Sequence, residues 1–189
     1  MAYWKPRGVE EHFELVLVDP DDPDWRMKLL DYYFKAQPMQ AIWQPVPVEL
    51  EPLPRERNRI QPTEMGNFPT VSGIQAWDRR AVETLRPLIE GQVEFLPLTS
   101  TVGDFFLINV INVLGCLDHD RAEFYYSSVD VDQRIVGVKR YIFKEGCLDG
   151  QHIFCLAENN YSRIYVSDTF KETVEANGLV GMRFKKAWD

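Results

Sequence analysis

Five side chains in the second half of the chain have the chemistry of a metal site. Cys116 and His119 form a C-x-x-H pair, and Cys147, His152 and Cys155 follow. Thiolate and imidazole are the usual ligands of zinc. The spacing works against such a site. His152 and Cys155 stand three positions apart on a predicted strand and so point to opposite faces. Cys147 falls in an expected turn. The five side chains read as buried thiols and surface imidazoles, and no metal or other cofactor is predicted. A second cluster is acidic: Asp19, Asp21, Asp22 and Asp24. A calcium loop opening at Asp19 requires glycine in its sixth position and glutamate in its twelfth. Those positions hold Asp24 and Leu30. The cluster reads instead as a solvated turn or an electrostatic docking patch.

Catalytic motifs are missing from the sequence. It has no G-x-S-x-G elbow, no phosphate-binding loop and no dinucleotide glycine pattern. Cys116 and His119 could be taken as a dyad, but both belong to one turn and lack an orienting group. Basic residues read as scattered: Arg55, Arg57 and Arg59, then Arg79 and Arg80, then Arg183, Lys185 and Lys186. None makes a stripe of the kind that binds nucleic acid. Aromatic residues are candidate surface anchors, among them Trp4, Trp25, Trp43, Tyr125, Tyr126, Tyr161 and Tyr165. Tryptophan and tyrosine are enriched where partners bind.

The elements that would position these groups follow from periodicity. Residues 12–18 read as a strand, ended by Asp19-Pro20-Asp21-Asp22-Pro23. Residues 24–35 fit a short helix capped by Asp24, with Trp25, Leu29, Leu30 and Tyr33 on one face. Six of the twelve prolines lie in residues 45–69, which marks an irregular connection with at most an edge strand at Val46–Leu50. Residues 78–90 give the best helix, capped by Asp78 and stopped at Gly91, with Pro87 near its end. Strands are predicted at 95–98, 105–114, 135–143, 152–156 and 163–166, the last with Ile164 and Val166 inward and Arg163 and Tyr165 outward. Asn109 and Asn112 interrupt the most apolar of these and are expected to tie backbone. Ser167 and Asp168 open a second helix, Thr169–Ala176, where Thr169-x-x-Glu172 offers a capping box. Met182, Phe184 and Trp188 alternate in a last strand.

The fold class is therefore α+β: a mixed, mainly antiparallel sheet with two short helices packed on it and a small N-terminal β-rich lobe. The division falls after the proline-rich exit. Residues 1–60 form the lobe and 61–189 the main domain. The chain has 189 residues, 45% of them hydrophobic and 13% aromatic, which supports a substantial core and excludes a disordered class. No apolar run approaches the roughly 20 residues that span a bilayer, and residues 1–6 lack the pattern of a signal peptide. A cytoplasmic location is expected, and the three cysteines fit a reducing compartment as free thiols. Net charge is -8, of which -5 falls in residues 1–24, where seven acids meet Lys5 and Arg7. Such a balance disfavours nucleic acid and anionic membrane and favours a basic partner.

One resemblance reaches further than composition. Val71-Ser72 precedes a helix carrying Ala81-Val82-Glu83-Thr84-Leu85, and Glu94-Phe95-Leu96-Pro97 follows. Phe106–Leu117 ends in Leu117-Asp118, and Glu123-Phe124 and Ile153-Phe154-Cys155-Leu156 come next. Val166-Ser167-Asp168-x-Phe170 and Gly178-Leu179-Val180-Gly181-Met182-Arg183-Phe184 complete the series. In order and spacing, residues 65–189 resemble the immunity-protein domain of bacterial polymorphic toxin systems. The resemblance implies a cytoplasmic antidote, encoded beside a secreted toxin, that binds and neutralises this cognate toxin protein. It carries over no catalytic set. On that reading the acidic segment and its neighbouring aromatic, Asp19, Asp21, Asp22, Asp24 and Trp25, are the partner-binding candidates. The alternatives are a small hydrolase that reverses a toxin's modification through His119 or His152, and a non-catalytic ligand-binding or scaffold domain.

Overall fold

The structure, a computed structural model, describes residues 2–8, 14–19, 36–50, 65–71, 73–127, 135–159 and 163–188. Its class is α+β, with two α-helices and thirteen strands among the described residues. Six strands close into a barrel that the sequence reading did not anticipate. These are β2 (Leu15–Leu17), β3 (Val46–Leu50), β4 (Thr70–Val71), β5 (Ile74–Asp78), β6 (Val93–Thr99) and β7 (Phe105–Val110), in the order β2-β3-β6-β7-β5-β4. Alternating residues fill its interior: Leu15 and Leu17, Val46 and Val48, Leu96 and Leu98, Phe105 and Leu107. Closure removes the free edges that Val46–Leu50 would otherwise present. Gly73, at φ 83°, sits in the tight connection between β4 and β5.

The barrel holds segment 36–43 across its surface by one polar cluster. Asn109 Nδ2 donates to Gln37 O at 2.8 Å and to Glu94 Oε2 at 2.9 Å. Glu94 also accepts from the amides of Met39 and Gln40. Met39 joins the barrel core, and the Trp43 indole donates to Pro97 O. Asn109 thus ties backbone, as its buried place in an apolar strand requires.

A second sheet has five strands in the order β13-β1-β12-β11-β8. They are β1 (Tyr3–Gly8), β8 (Val113–Leu114), β11 (Ile153–Leu156), β12 (Ile164–Ser167) and β13 (Met182–Lys186). The expected strand 105–114 is two strands, because the chain leaves the barrel at Val110 and joins this sheet at Val113. Asn112 satisfies the crossing by donating to Ile153 O at 2.9 Å. Gln92 Oε1 accepts from the amides of His152 and Ile153, both at 3.0 Å. The first strand of the chain, β1, lies between β12 and β13. Pairing therefore crosses residue 60 at β1, where β2 meets β4, and where β3 meets β6.

Both faces of this sheet are buried for part of their area. One face packs on helices α1 (Arg79–Ile89) and α2 (Asp168–Ala176) and on the outer wall of the barrel. Trp77, Leu85, Ile89, Ile153, Val166 and Phe170 form that layer. Asp78 caps α1 by accepting from the Ala81 amide. Ser167, not Thr169, caps α2: its hydroxyl accepts from the Phe170 amide, two residues before the cap of the expected box. The other face carries an aromatic cluster of Tyr3, Phe154, Tyr165, Tyr141, Phe143 and Trp188. Tyr165 is fully buried there, which corrects its expected outward, exposed position. A further pair, β9 (Glu123–Tyr126) and β10 (Ile135–Arg140), adds Phe124 and Val138 to this cluster. β10 stops before Phe143, and its register shifts leave Val136 exposed and Val138 buried. No helix among the described residues is long and apolar enough to cross a membrane. The expected helix 24–35 lies outside the described residues.

The expectation of three free thiols fails at Cys116 and Cys147, which form a disulfide. The bridge Leu117↔Phe143 and the bond from Lys144 N to Cys116 O bring the two segments together. Cys155 remains a free, buried thiol. Cleaving a loop closure of this separation costs on the order of 2–4 kcal/mol. Reductant, or Cys116→Ser, is therefore expected to lower the urea midpoint, and adding reductant to the variant should change nothing further. Midpoints that coincide with and without reductant would show the crosslink to be energetically silent.

His152 supplies a second prediction. Its Nδ1 lies 2.9 Å from Ser167 Oγ, which also accepts from the Phe170 amide. Either group can donate in this contact, the hydroxyl to a neutral ring nitrogen or Nδ1–H to the hydroxyl oxygen. Burial lowers the His152 pKa below its ordinary value. Below about pH 6.5 the unfolded chain then takes up a proton that the folded chain resists, so acidification destabilises. Denaturant titrations at pH 7.5 and 5.5 should show His152→Gln losing less stability on acidification than the parent chain. An equal loss in both would exclude His152 as a contributor.

Candidate interaction surface

The residues proposed for metal are not assembled. Cys116 and Cys147 are joined to each other, and burial pushes the Cys155 thiol up to about 12. His152 faces Ser167. Among the described residues no group of three metal-binding side chains occurs. Of the acidic candidates, Asp19 is exposed just beyond β2. Asp21, Asp22, Asp24 and Trp25 lie outside the described residues.

His119 has a partner that the sequence did not indicate. Its Nε2 lies 2.7 Å from Glu158 Oε1, and its ring packs on Phe124 with centroids 5.0 Å apart. The Glu158 side chain is only 7% exposed, and its Oε2 has no hydrogen-bond partner. A carboxylate that orients an exposed imidazole is one part of an acid–base site. Their separation of 39 positions hid the pair from a reading of local motifs.

The exposed aromatic candidates sort cleanly. Tyr125 and Tyr126 on β9 are 56% and 53% exposed, beside exposed Val136 on β10. Trp4 and Trp43 are half-buried, Tyr165 is core, and Trp25 and Tyr161 are outside the described residues.

The largest departure from the sequence reading is a cationic face. In β1 and β13, Lys5 stands directly opposite Lys185, and Arg7 directly opposite Arg183. Opposed residues of an antiparallel pair project to the same side. Alternation puts these four on the side of Tyr3, the side of the aromatic cluster. Lys5 Nζ confirms the placement, lying 5.6 Å from the Tyr141 ring centre and 5.7 Å from that of Tyr165. Beyond the aromatic cluster the same face continues as lysine and arginine.

A cleft of about 430 Å³ opens at the end of this face, where the strands meet the barrel. Lys5, Arg7 and Arg163 line it from the sheet. Thr70, Gly73 and Gln75 line it from the β4–β5 turn of the barrel. The two walls touch at Gly8, where an added Cβ would stand 3.5 Å from the Thr70 methyl. Arg7, Arg163, Arg183 and Lys185 are exposed. Arg7 and Arg163 form no ion pair among the described residues. The only signal in the sequence is the spacing of two in Lys5-x-Arg7 and in Arg183-x-Lys185, on segments some 175 residues apart. The pairing of β1 with β13 turns two short alternations into one patch.

Among curated proteins, none matches the chain. The resemblance drawn over residues 65–189 is met by a family match over its larger part, from within β6 to beyond β13. Residues 96–189 match the immunity protein family Imm11.

Proposed function

We propose that the chain is an immunity protein that binds and neutralises a cognate bacterial toxin in the cytoplasm of the cell that makes it. The match of residues 96–189 to the Imm11 family carries this reading. Binding, one antidote to one toxin, is the mechanism proposed, with no chemical step. The charge of -8 supports it, because an acidic surface speeds encounter with a basic partner. In this reading the acidic segment Asp19, Asp21, Asp22 and Asp24, with Trp25, forms part of the contact. The exposed Tyr125 and Tyr126 supply aromatic anchors of the kind enriched at binding hot spots.

A second reading rests on the His119–Glu158 pair: an enzyme that removes a modification made by the toxin, with His119 as its base. Stoichiometry separates the two. A binder protects at about one antidote per toxin, whereas an enzyme protects at far lower ratios.

The first test is co-expression with the product of the adjacent open reading frame, followed by size-exclusion chromatography with light scattering. A complex of defined stoichiometry is expected. Two separate peaks would remove support from the antidote reading. In the complex, replacing Asp19, Asp21, Asp22 and Asp24 by asparagine should slow association by roughly tenfold at low ionic strength and flatten its salt dependence. Association that proceeds at the parent rate in low salt would take the acidic segment out of the interface. Protection at substoichiometric amounts, abolished by His119→Ala, would instead establish the enzymatic reading.

A further inference from the structure

The cationic face is costly to the fold on its own. Lys5 against Lys185 and Arg7 against Arg183 are like charges placed directly opposite on one ladder. Such pairs destabilise a sheet relative to neutral ones. Arg163 adds a fifth cation at the cleft. All five stand in a chain whose net charge is -8, so overall composition does not force basic residues together. Five cations gathered on one face of an acidic chain, three of them lining an open cleft, mark a site for an anionic group.

We propose that this cleft binds an acidic segment of a protein partner, with the carboxylates of that segment seated between Arg7, Arg163 and Lys5. Three features select this occupant. Arginine presents a planar fork of donors that matches a carboxylate. The cleft, about 430 Å³, has room for a few side chains between its sheet wall and the Thr70 and Gln75 of its barrel wall. The remainder of the chain is acidic, which opposes a polyanion of uniform charge such as nucleic acid. A partner that is basic overall but carries one acidic segment satisfies both surfaces at once. The inference deepens the antidote reading by naming the part of the toxin that this face would hold, and it rests on that reading only for the identity of the partner.

The probe is a fluorescein-labelled ten-residue peptide rich in glutamate, followed by anisotropy in low salt against the full chain. Binding is expected, weakening as salt rises. Arg7→Glu with Arg163→Glu should weaken it about tenfold or more. Arg121→Glu, a charge reversal on the turn before β9, should leave it within about twofold. Thermal melts of each variant establish that the exposed substitutions preserve folding, and a titration of the parent chain with salt gives the same comparison without mutation. Binding that survives the double reversal overturns the site. Tighter binding of a single-stranded oligonucleotide of equal charge, lost in the same double variant, overturns the occupant in favour of nucleic acid. The antidote reading fails separately. If the peptide binds and the neighbouring gene product does not, the cleft stands and the toxin assignment falls. If the double variant still captures and neutralises the neighbouring gene product as the parent does, the antidote reading stands and the cleft is not its toxin contact.

Discussion

The place of β1 is the constraint on which the rest of the structure depends. A strand at the start of the chain lies between two strands from its far end. Without it, β12 and β13 have no ladder partner in common, and β13 is cut off from the rest of the sheet. Asp168 fixes the insertion. Its carboxylate accepts the Trp4 indole at 2.7 Å and the Ala2 amide, while the Asp168 amide donates back to Ala2 O. Desolvation alone would raise the Asp168 pKa. The bonds from Trp4 and Ala2, with Lys171 nearby, outweigh it and hold the carboxyl below its ordinary value. Because Asp168 is also the first residue of α2, strand insertion and helix start are one event. Trp4 then packs into the layer between sheet and helices, and Tyr3 into the aromatic cluster behind it.

That insertion also explains why the matched family region is not a self-contained layer. Residues 96–189 supply β7 to β13 and α2. The strand that joins β12 to β13 and most of the barrel come from earlier in the chain. Trp77 on β5 contacts Phe68, Phe95 and Phe170, so one side chain links the barrel wall to α2. The hydrophobic layers run through the whole described chain, and the first part of the sequence is structurally required by the second.

Elements with a local signature were legible. The helix capped by Asp78 begins and ends within a residue or two of its expected span, because cap, apolar stripe and Gly91 are all adjacent in sequence. β11 and β12 were found by their β-branched and aromatic runs. β1 was missed because Lys5, Pro6 and Arg7 read as polar, and a strand whose outer half faces solvent lacks the apolar alternation that marks a core strand. The barrel was missed because β4 has two residues and β2 three, too short for any period to show. Tyr165 looked exposed because alternation identifies two faces but not whether both are covered. The disulfide and the His119–Glu158 pair depend on contacts 31 and 39 residues apart, which neither composition nor spacing encodes.

Charge was legible as a sum and not as a pattern. The total of -8 and its concentration near the start of the chain describe the field at long range, which governs encounter. At contact distance the relevant quantity is the arrangement of side chains on each face. There β1 and β13 reverse the sign. The same insertion that completes the sheet places Lys5 and Arg7 against Lys185 and Arg183. Lys5 shows how the fold tolerates this. Its ammonium lies over the Tyr141 and Tyr165 rings, whose negative faces stabilise a cation with no carboxylate needed. Arg7 and Arg163 have no such support and face the open cleft. The sheet therefore moderates its like-charge cost where the aromatic cluster reaches, and at the cleft an incoming carboxylate would lower it further.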